Sequence, residues 1–127
     1  MNAELRLPAQ PRYIQIESVI GCDAKCPFCP QKNIVRGPRA MPDETWRKIV
    51  DDTRGLGVTY RPFLQNEALV DPRIEEIVRY IKRDPTARVE INTNANALTE
   101  KRAAGLIDAG VDLMRFSVDA FSREVYE

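Results

Sequence analysis

Histidine is absent from this 127-residue sequence, which removes the most common general base and the most common metal ligand of proteins. Net charge is absent too, because 19 Lys and Arg residues balance 19 Asp and Glu residues. A neutral chain is a poor match for nucleic-acid binding, which depends on neutralising phosphates. No apolar run approaches the roughly 18 residues of a membrane span, and the polar N-terminal stretch lacks the apolar centre of a signal peptide. We therefore predict a cytoplasmic protein with neither a membrane nor a nucleic-acid partner.

Cysteine is scarce and confined to one place. The three cysteines are Cys22, Cys26 and Cys29, an odd number that cannot be fully paired in disulfides within one chain. Clustered cysteines in a cytosolic protein are more often metal-binding or catalytic. Three thiolates on one loop can hold an iron–sulfur cluster and leave one iron open to another ligand. A zinc site would need a fourth ligand from an Asp or a partner, and Cys26 with Cys29 could also be a redox pair.

Hydrophobic periodicity predicts strands and helices in alternation. With 43% hydrophobic and 30% charged residues, the composition is that of an ordinary globular domain. We predict strands over Tyr13–Val19, Thr59–Leu64, Arg88–Asn92 and Asp112–Val118. Helices are expected to begin with Pro42 in the first turn, with Asp71 as cap and Pro72 at the first position, with Thr99 as cap, and near Ser122. This order predicts an α/β fold in which about four parallel strands carry helices on one or both faces.

Polar residues follow the predicted strands at the end where parallel α/β proteins bind ligands. They are Asn66, Glu67, Thr93, Asn94, Ser117 and Asp119. The alternation of side chains also predicts that Glu90 and Arg115 form an ion pair on the sheet face away from the helices.

Four segments together resemble the radical S-adenosylmethionine (radical SAM) superfamily. The run Cys-Asp-Ala-Lys-Cys-Pro-Phe-Cys from Cys22 to Cys29 is similar to the cluster motif of that family and directly follows the first strand. Asn66–Leu69 resembles its Gly-Glu-Pro-Leu segment, and Ile91–Ala95 resembles its Thr-Asn-Gly segment. Gly110–Asp119 resembles the stretch that ends in Ser-x-Asp-Gly. The surroundings of Pro30 and Arg36–Met41 are most similar to members with an extra C-terminal cluster domain, the SPASM group.

The resemblance implies a radical SAM enzyme whose α/β fold is a parallel (β/α) partial-barrel fragment, with about four strands and helices on the outer face. Cys22, Cys26 and Cys29 would bind three irons of a 4Fe–4S cluster, and S-adenosylmethionine (SAM) would bind the fourth. Glu67 would receive the SAM amino group, while Asn94 and Ser117 would contact other parts of SAM. Reductive cleavage of SAM would yield a 5′-deoxyadenosyl radical that abstracts hydrogen from an unknown substrate. The resemblance also implies an electron donor of the flavodoxin or ferredoxin type.

The sequence departs from the family pattern in two turns and in length. Asn66 and Ala95 stand where the family has Gly, and we expect Asn66 to tolerate a left-handed backbone better than Ala95 does. An eight-unit barrel takes about 250 residues, so we expect residues 1–127 to be the N-terminal half of a truncated core domain. The alternative is a non-catalytic iron–sulfur or SAM-binding fragment, or a split subunit that needs a second chain to complete the barrel. A structural zinc module is less favoured.

Overall fold

A computed structural model of the chain describes residues 9–33 and 39–126. The strands are β1 (Tyr13–Gln15), β2 (Thr59–Arg61), β3 (Arg88–Thr93) and β4 (Leu113–Phe116), and the helices are α1 (Asp43–Asp52), α2 (Ile74–Ile81), α3 (Glu100–Ala109) and α4 (Arg123–Tyr126). Short 3-10 turns cover Pro30–Asn33 and Ala68–Val70. The strands form one sheet in the order β1-β2-β3-β4, and every pairing is parallel. The predicted α/β architecture is therefore confirmed. Within the described ranges, every helix is too short or too polar to cross a membrane.

The first two strands end earlier than the sequence predicts. The Thr59–Leu64 prediction is too long because Pro62 has no N–H to donate, and β2 stops one residue before it. The Tyr13–Val19 prediction is too long because Val19 forms an antiparallel bridge with Ala40 instead of continuing beside β2. This bridge closes the base of the cysteine-bearing loop.

Helix α3 begins after Thr99 as the sequence predicts, whereas α1 and α2 begin later than predicted. Thr99 Oγ accepts the N–H of Arg102 at 3.2 Å and caps α3 as predicted. Pro42 occupies the cap position of α1 and does not lie in its first turn. Asp71 does not cap α2, because the helix begins at Ile74 after Arg73. The Asp71 carboxylate instead accepts the backbone N–H of Arg73 at 2.9 Å, so it organises the turn before the helix.

The hydrophobic core lies between one face of the sheet and the helices. It is built from fully buried residues of α1, α2, α3, β2 and β3, among them Trp46, Val50, Tyr60, Ile77, Val78, Val89, Ile91 and Leu106. The side chains of β3 alternate, so Glu90 lies on the opposite face, where Arg115 Nη1 is 3.2 Å from Glu90 Oε2. The predicted Glu90–Arg115 ion pair is confirmed. Arg61 joins it at 2.9 Å, a contact that the sequence analysis did not predict.

Candidate functional site

All six residues predicted for the site line one cavity at the carboxyl ends of the strands. The cavity has a volume of about 390 Å³. The predicted residues in its wall are Cys22, Cys26, Cys29, Glu67, Asn94 and Ser117. Loops after all four strands contribute to it, because the strands are parallel and their carboxyl ends meet at one edge.

The three thiols lie on the loop between β1 and α1. All three are half-buried and free, and the N–H of Cys29 donates to the carbonyl of Cys26 at 3.1 Å. Burial raises the pKa of the Cys22 thiol; the carboxylates of Asp23 and Glu67 add to this rise, while the N–H of Ala24, 3.4 Å from Cys22 Sγ, opposes it. A free Cys22 therefore favours the protonated thiol, and an added cation would favour the thiolate.

A single metal ion would need several such side chains around one point. In the described parts of the chain, no three His, Cys, Asp or Glu side chains group closely enough to hold one ion. An iron–sulfur cluster sets a different requirement, because each thiolate binds a different iron and the sulfur atoms surround the cluster.

Glu67 is buried at the centre of the site, with 4% of its surface exposed. Its Oε1 accepts the Thr93 hydroxyl at 2.6 Å and the N–H of Leu69 at 3.0 Å. Its Oε2 accepts the N–H of Asn94 at 2.8 Å. A carboxylate has about four acceptor positions, so these three contacts leave one on Oε2 for a ligand.

Asn94 connects the end of β3 to the cysteine loop. Its Nδ2 donates to Asp23 Oδ1 at 2.7 Å and lies 3.6 Å from Cys22 Sγ. Ala95, which follows, has a φ of 66°, so Ala occupies the left-handed backbone that the family gives to Gly. The turn is thus retained at a cost in backbone strain.

The tolerance of Asn66 for a left-handed backbone is not needed in this turn. The Asn66 backbone is not left-handed, since Ala95 is the single non-glycine residue with positive φ in the described ranges. Instead, the side-chain Oδ1 of Asn66 accepts the N–H of Leu64 at 3.0 Å and closes the turn after β2.

Ser117 and Asp119 reach the cavity from the end of β4. Both are exposed, and the N–H of Ser117 donates to the carbonyl of Thr93 at 2.8 Å. This bond fixes Ser117 at the cavity wall beside the end of β3, next to Asn94.

Asn92 is a lining residue that the sequence analysis did not select. Its Oδ1 is buried and has no hydrogen-bond partner in the described structure. Strand alternation could have identified Asn92, because it lies on the same face of β3 as Glu90, the face away from the helices. A buried oxygen without a partner is costly, and a bound ligand with an N–H or O–H would satisfy it.

The residues present fit a sulfur-ligated iron cluster together with a polar ligand. Three thiols supply the soft donors that iron–sulfur clusters use. The open acceptor position of Glu67 and the unpaired oxygen of Asn92 offer partners to amino or hydroxyl groups.

Comparisons with known proteins agree with this geometry. The family model described as the radical SAM superfamily matches residues 16–127. A GTP 3′,8-cyclase of Chlorobaculum tepidum is 25% identical over 90% of this chain and 34% of that protein. A PqqA peptide cyclase of Streptomyces rochei is 31% identical over 85% of this chain and 30% of that protein. The chain thus spans about a third of the length of these relatives.

A solved structure shows the same fold. The crystal structure of BtrN in complex with AdoMet and 2-DOIA aligns with a TM-score of 0.81 over 91% of this chain and 49% of that chain. Its sequence is 22% identical, so the likeness concerns the fold. The family model matches at the level of the superfamily, so the SPASM assignment stays a prediction. Part of the segment on which that assignment depends, residues 36–38, lies outside the described residues.

Proposed function

Because the chain belongs to the radical SAM superfamily, we propose that its cavity binds a 4Fe–4S cluster through Cys22, Cys26 and Cys29, with SAM beside it. When both are bound, they would supply reductive cleavage of SAM, in which one electron from an external donor yields methionine and a 5′-deoxyadenosyl radical able to abstract hydrogen from a substrate. The observation that carries this proposal is the convergence of three thiols and three polar side chains from separate loops on one cavity.

The protein's own residues would bind and orient SAM. The open acceptor position on Glu67 Oε2 suits the SAM ammonium group, and a charge-assisted contact there is stronger than a neutral one. Asn94 and Ser117 flank this position and would contact the rest of SAM. Asn94 also holds Asp23 of the cysteine loop, so it couples the two halves of the site.

The proposal extends to the setting of the reaction. We propose a cytoplasmic protein that is reduced by a flavodoxin-like or ferredoxin-like donor and acts as part of a larger radical SAM core. The residues 1–127 would then be the N-terminal part of that core domain. The support is that the relatives and BtrN extend well beyond the length of this chain.

The first test is anaerobic reconstitution with iron and sulfide, followed by electron paramagnetic resonance of the dithionite-reduced protein with and without SAM. We expect a 4Fe–4S signal that shifts when SAM is added. Cys26→Ala should lose the cluster, because two thiolates hold a cubane poorly. Lys25→Ala is the matched control, since its exposed side chain lies in the same loop and is not a cluster ligand.

Three outcomes distinguish the proposal from its alternatives. Formation of 5′-deoxyadenosine separates catalysis from a non-catalytic binding fragment or a split subunit. Metal analysis of protein purified without oxygen separates iron from zinc. Folded protein that takes up no iron in the wild-type form would contradict the proposal and favour a zinc or thiol role.

A further inference from the structure

A charged cluster lies on the sheet face opposite the helices, just below the cavity. It contains Arg61 of β2, Glu90 of β3 and Arg115 of β4. Arg61 Nε and Nη2 lie 3.0 and 2.9 Å from Glu90 Oε2, and Arg115 Nη1 lies 3.2 Å from the same oxygen. Two guanidinium groups around one carboxylate leave this cluster with one net positive charge.

Glu90 is ionised in this arrangement. Burial opposes its charge, but the hydrogen bonds from Arg61 and Arg115 outweigh burial and hold the pKa of Glu90 below its ordinary value. The cluster therefore keeps both positive charges and one negative charge at neutral pH.

The two arginines differ in how many of their N–H donors remain without a hydrogen-bond partner. Arg61 places two nitrogens on Glu90, and its guanidinium lies 4.3 Å from the centre of the Tyr13 ring. Arg115 uses only Nη1, and its side chain is 48% exposed. A guanidinium carries five N–H donors, so Nε and Nη2 of Arg115 have no partner in the described structure.

Arg115 lies on the same face of the sheet as Asn92 and Ser117, which line the cavity. It precedes Ser117 by two residues, a distance of about 6.6 Å along an extended chain, and both side chains lie on the same face. Arg115 is also the register partner of Asn92, whose Oδ1 is buried and unpaired in the cavity wall. Unused N–H donors of a cation and an unpaired acceptor thus lie on neighbouring strands, and Asn92 of this pair lines the cavity.

We propose that Arg115 and Asn92 bind the anionic end of the substrate, a carboxylate or a phosphate with a neighbouring hydroxyl or amino group. That the bound anion belongs to the substrate rests on the proposed function, whereas the binding of an anion at this place does not. The planar fork of Arg115 suits the two oxygens of such an anion, and Asn92 Oδ1 accepts from the neighbouring donor. Glu90 holds Arg115 in place, and Arg61 keeps the net charge of the cluster positive.

The test is a nuclear magnetic resonance titration of the 15N-labelled 127-residue chain with inorganic phosphate and, separately, with acetate. It is run before and after cluster reconstitution, at constant ionic strength. We expect saturable shifts of the Arg115 Nε–H and Asn92 side-chain signals, with dissociation constants on the order of 1 mM. Tighter binding of phosphate indicates a phosphorylated substrate, and tighter binding of acetate indicates a carboxylate.

Variants separate a binding role from a structural one. Arg115→Gln should raise the dissociation constant at least tenfold, and Arg115→Lys, which keeps the charge and the fold, should raise it several-fold. Arg79→Gln is the matched control, because Arg79 is an exposed arginine on α2 that pairs with Asp108 at 3.2 Å; its dissociation constant should equal that of the wild type. Unchanged binding in both Arg115 variants, or the absence of saturable shifts in the wild type, would overturn the inference.

The two proposals fail separately in this design. Saturable anion binding before reconstitution, in a protein that takes up no iron, would contradict the proposed function and leave the anion site in place. Iron uptake with a SAM-dependent signal, in a protein that binds neither anion, would contradict the anion site alone.

Discussion

The buried carboxylate of Glu67 stabilises the walls of the cavity even without a ligand. It accepts hydrogen bonds from Thr93, Leu69 and Asn94, and so ties the turn after β2 to the end of β3. Glu67→Gln places an NH2 group against one of these donors, and we expect a loss of about 1–3 kcal/mol in the free energy of unfolding. Urea unfolding of the reduced, cluster-free protein measures this loss.

The same substitution separates the two roles of Glu67. We expect Glu67→Gln to retain the cluster and to weaken SAM binding by about 1–3 kcal/mol, since the charge-assisted contact is lost. Glu44→Gln on the exposed surface of α1 is the control and should leave stability and SAM affinity unchanged. If Glu67→Gln bound SAM as tightly as the wild type does, Glu67 would not be a SAM-binding residue.

At the scale of elements, Arg73 joins the start of α2 to the base of the cysteine loop. Its guanidinium donates to the Asp71 carboxylate, to the Met41 carbonyl at 2.9 Å and to the Ser18 carbonyl at 3.0 Å. A lysine cannot reach all three groups from one nitrogen, and Asp71 is fully buried. We therefore expect Arg73→Lys to lower the free energy of unfolding by about 1–3 kcal/mol, measured by urea denaturation.

Arg79→Lys on the exposed face of α2 is the matched control for this prediction. Its pair with Asp108 is solvent-exposed, so we expect a change below about 0.5 kcal/mol. Equal losses in the two variants would show that the contacts of Arg73 do not hold the loop to the helix.

At the scale of the whole molecule, carboxyl groups in three regions make stability depend on pH. Backbone and side-chain hydrogen bonds from Gly55 and Thr86 hold the pKa of Asp84 below its ordinary value. The pKa values of Asp71 and Glu90 are also lowered; burial opposes this, but hydrogen bonds, chiefly from their arginine partners, outweigh it. Unfolding would return all three to ordinary carboxyl pKa values of about 4.

The lowered carboxyl pKa values make the folded state less stable in acid. The folded state binds fewer protons than the unfolded state, so the stabilisation is fully present above about pH 4 and is lost as the pH falls through the folded pKa values. We expect the urea midpoint to stay constant from pH 7 to pH 5 and to decrease at pH 4 and pH 3. Asp84→Asn should flatten this decrease, and an acid-independent midpoint in the wild type would contradict the prediction.

Local patterns in the sequence were enough to predict the order of elements, the parallel sheet and the cysteine loop. These features depend on local periodicity, on turn residues and on short spacings, all of which can be seen in one dimension. Thr99 was predicted correctly as a cap for that reason, since a cap needs only the three residues that follow it. The ion pair of Glu90 and Arg115, on the sheet face away from the helices, also followed from strand alternation.

The contacts that end the elements and complete the site depend instead on tertiary packing. Val19 leaves β1 because it pairs with Ala40 across the loop, and Asp71 binds Arg73 instead of capping α2. The three donors to Glu67 and the unpaired oxygen of Asn92 depend on how separate loops pack at the sheet edge. Such contacts join residues far apart in the chain, and their distances are set by packing that no local pattern encodes.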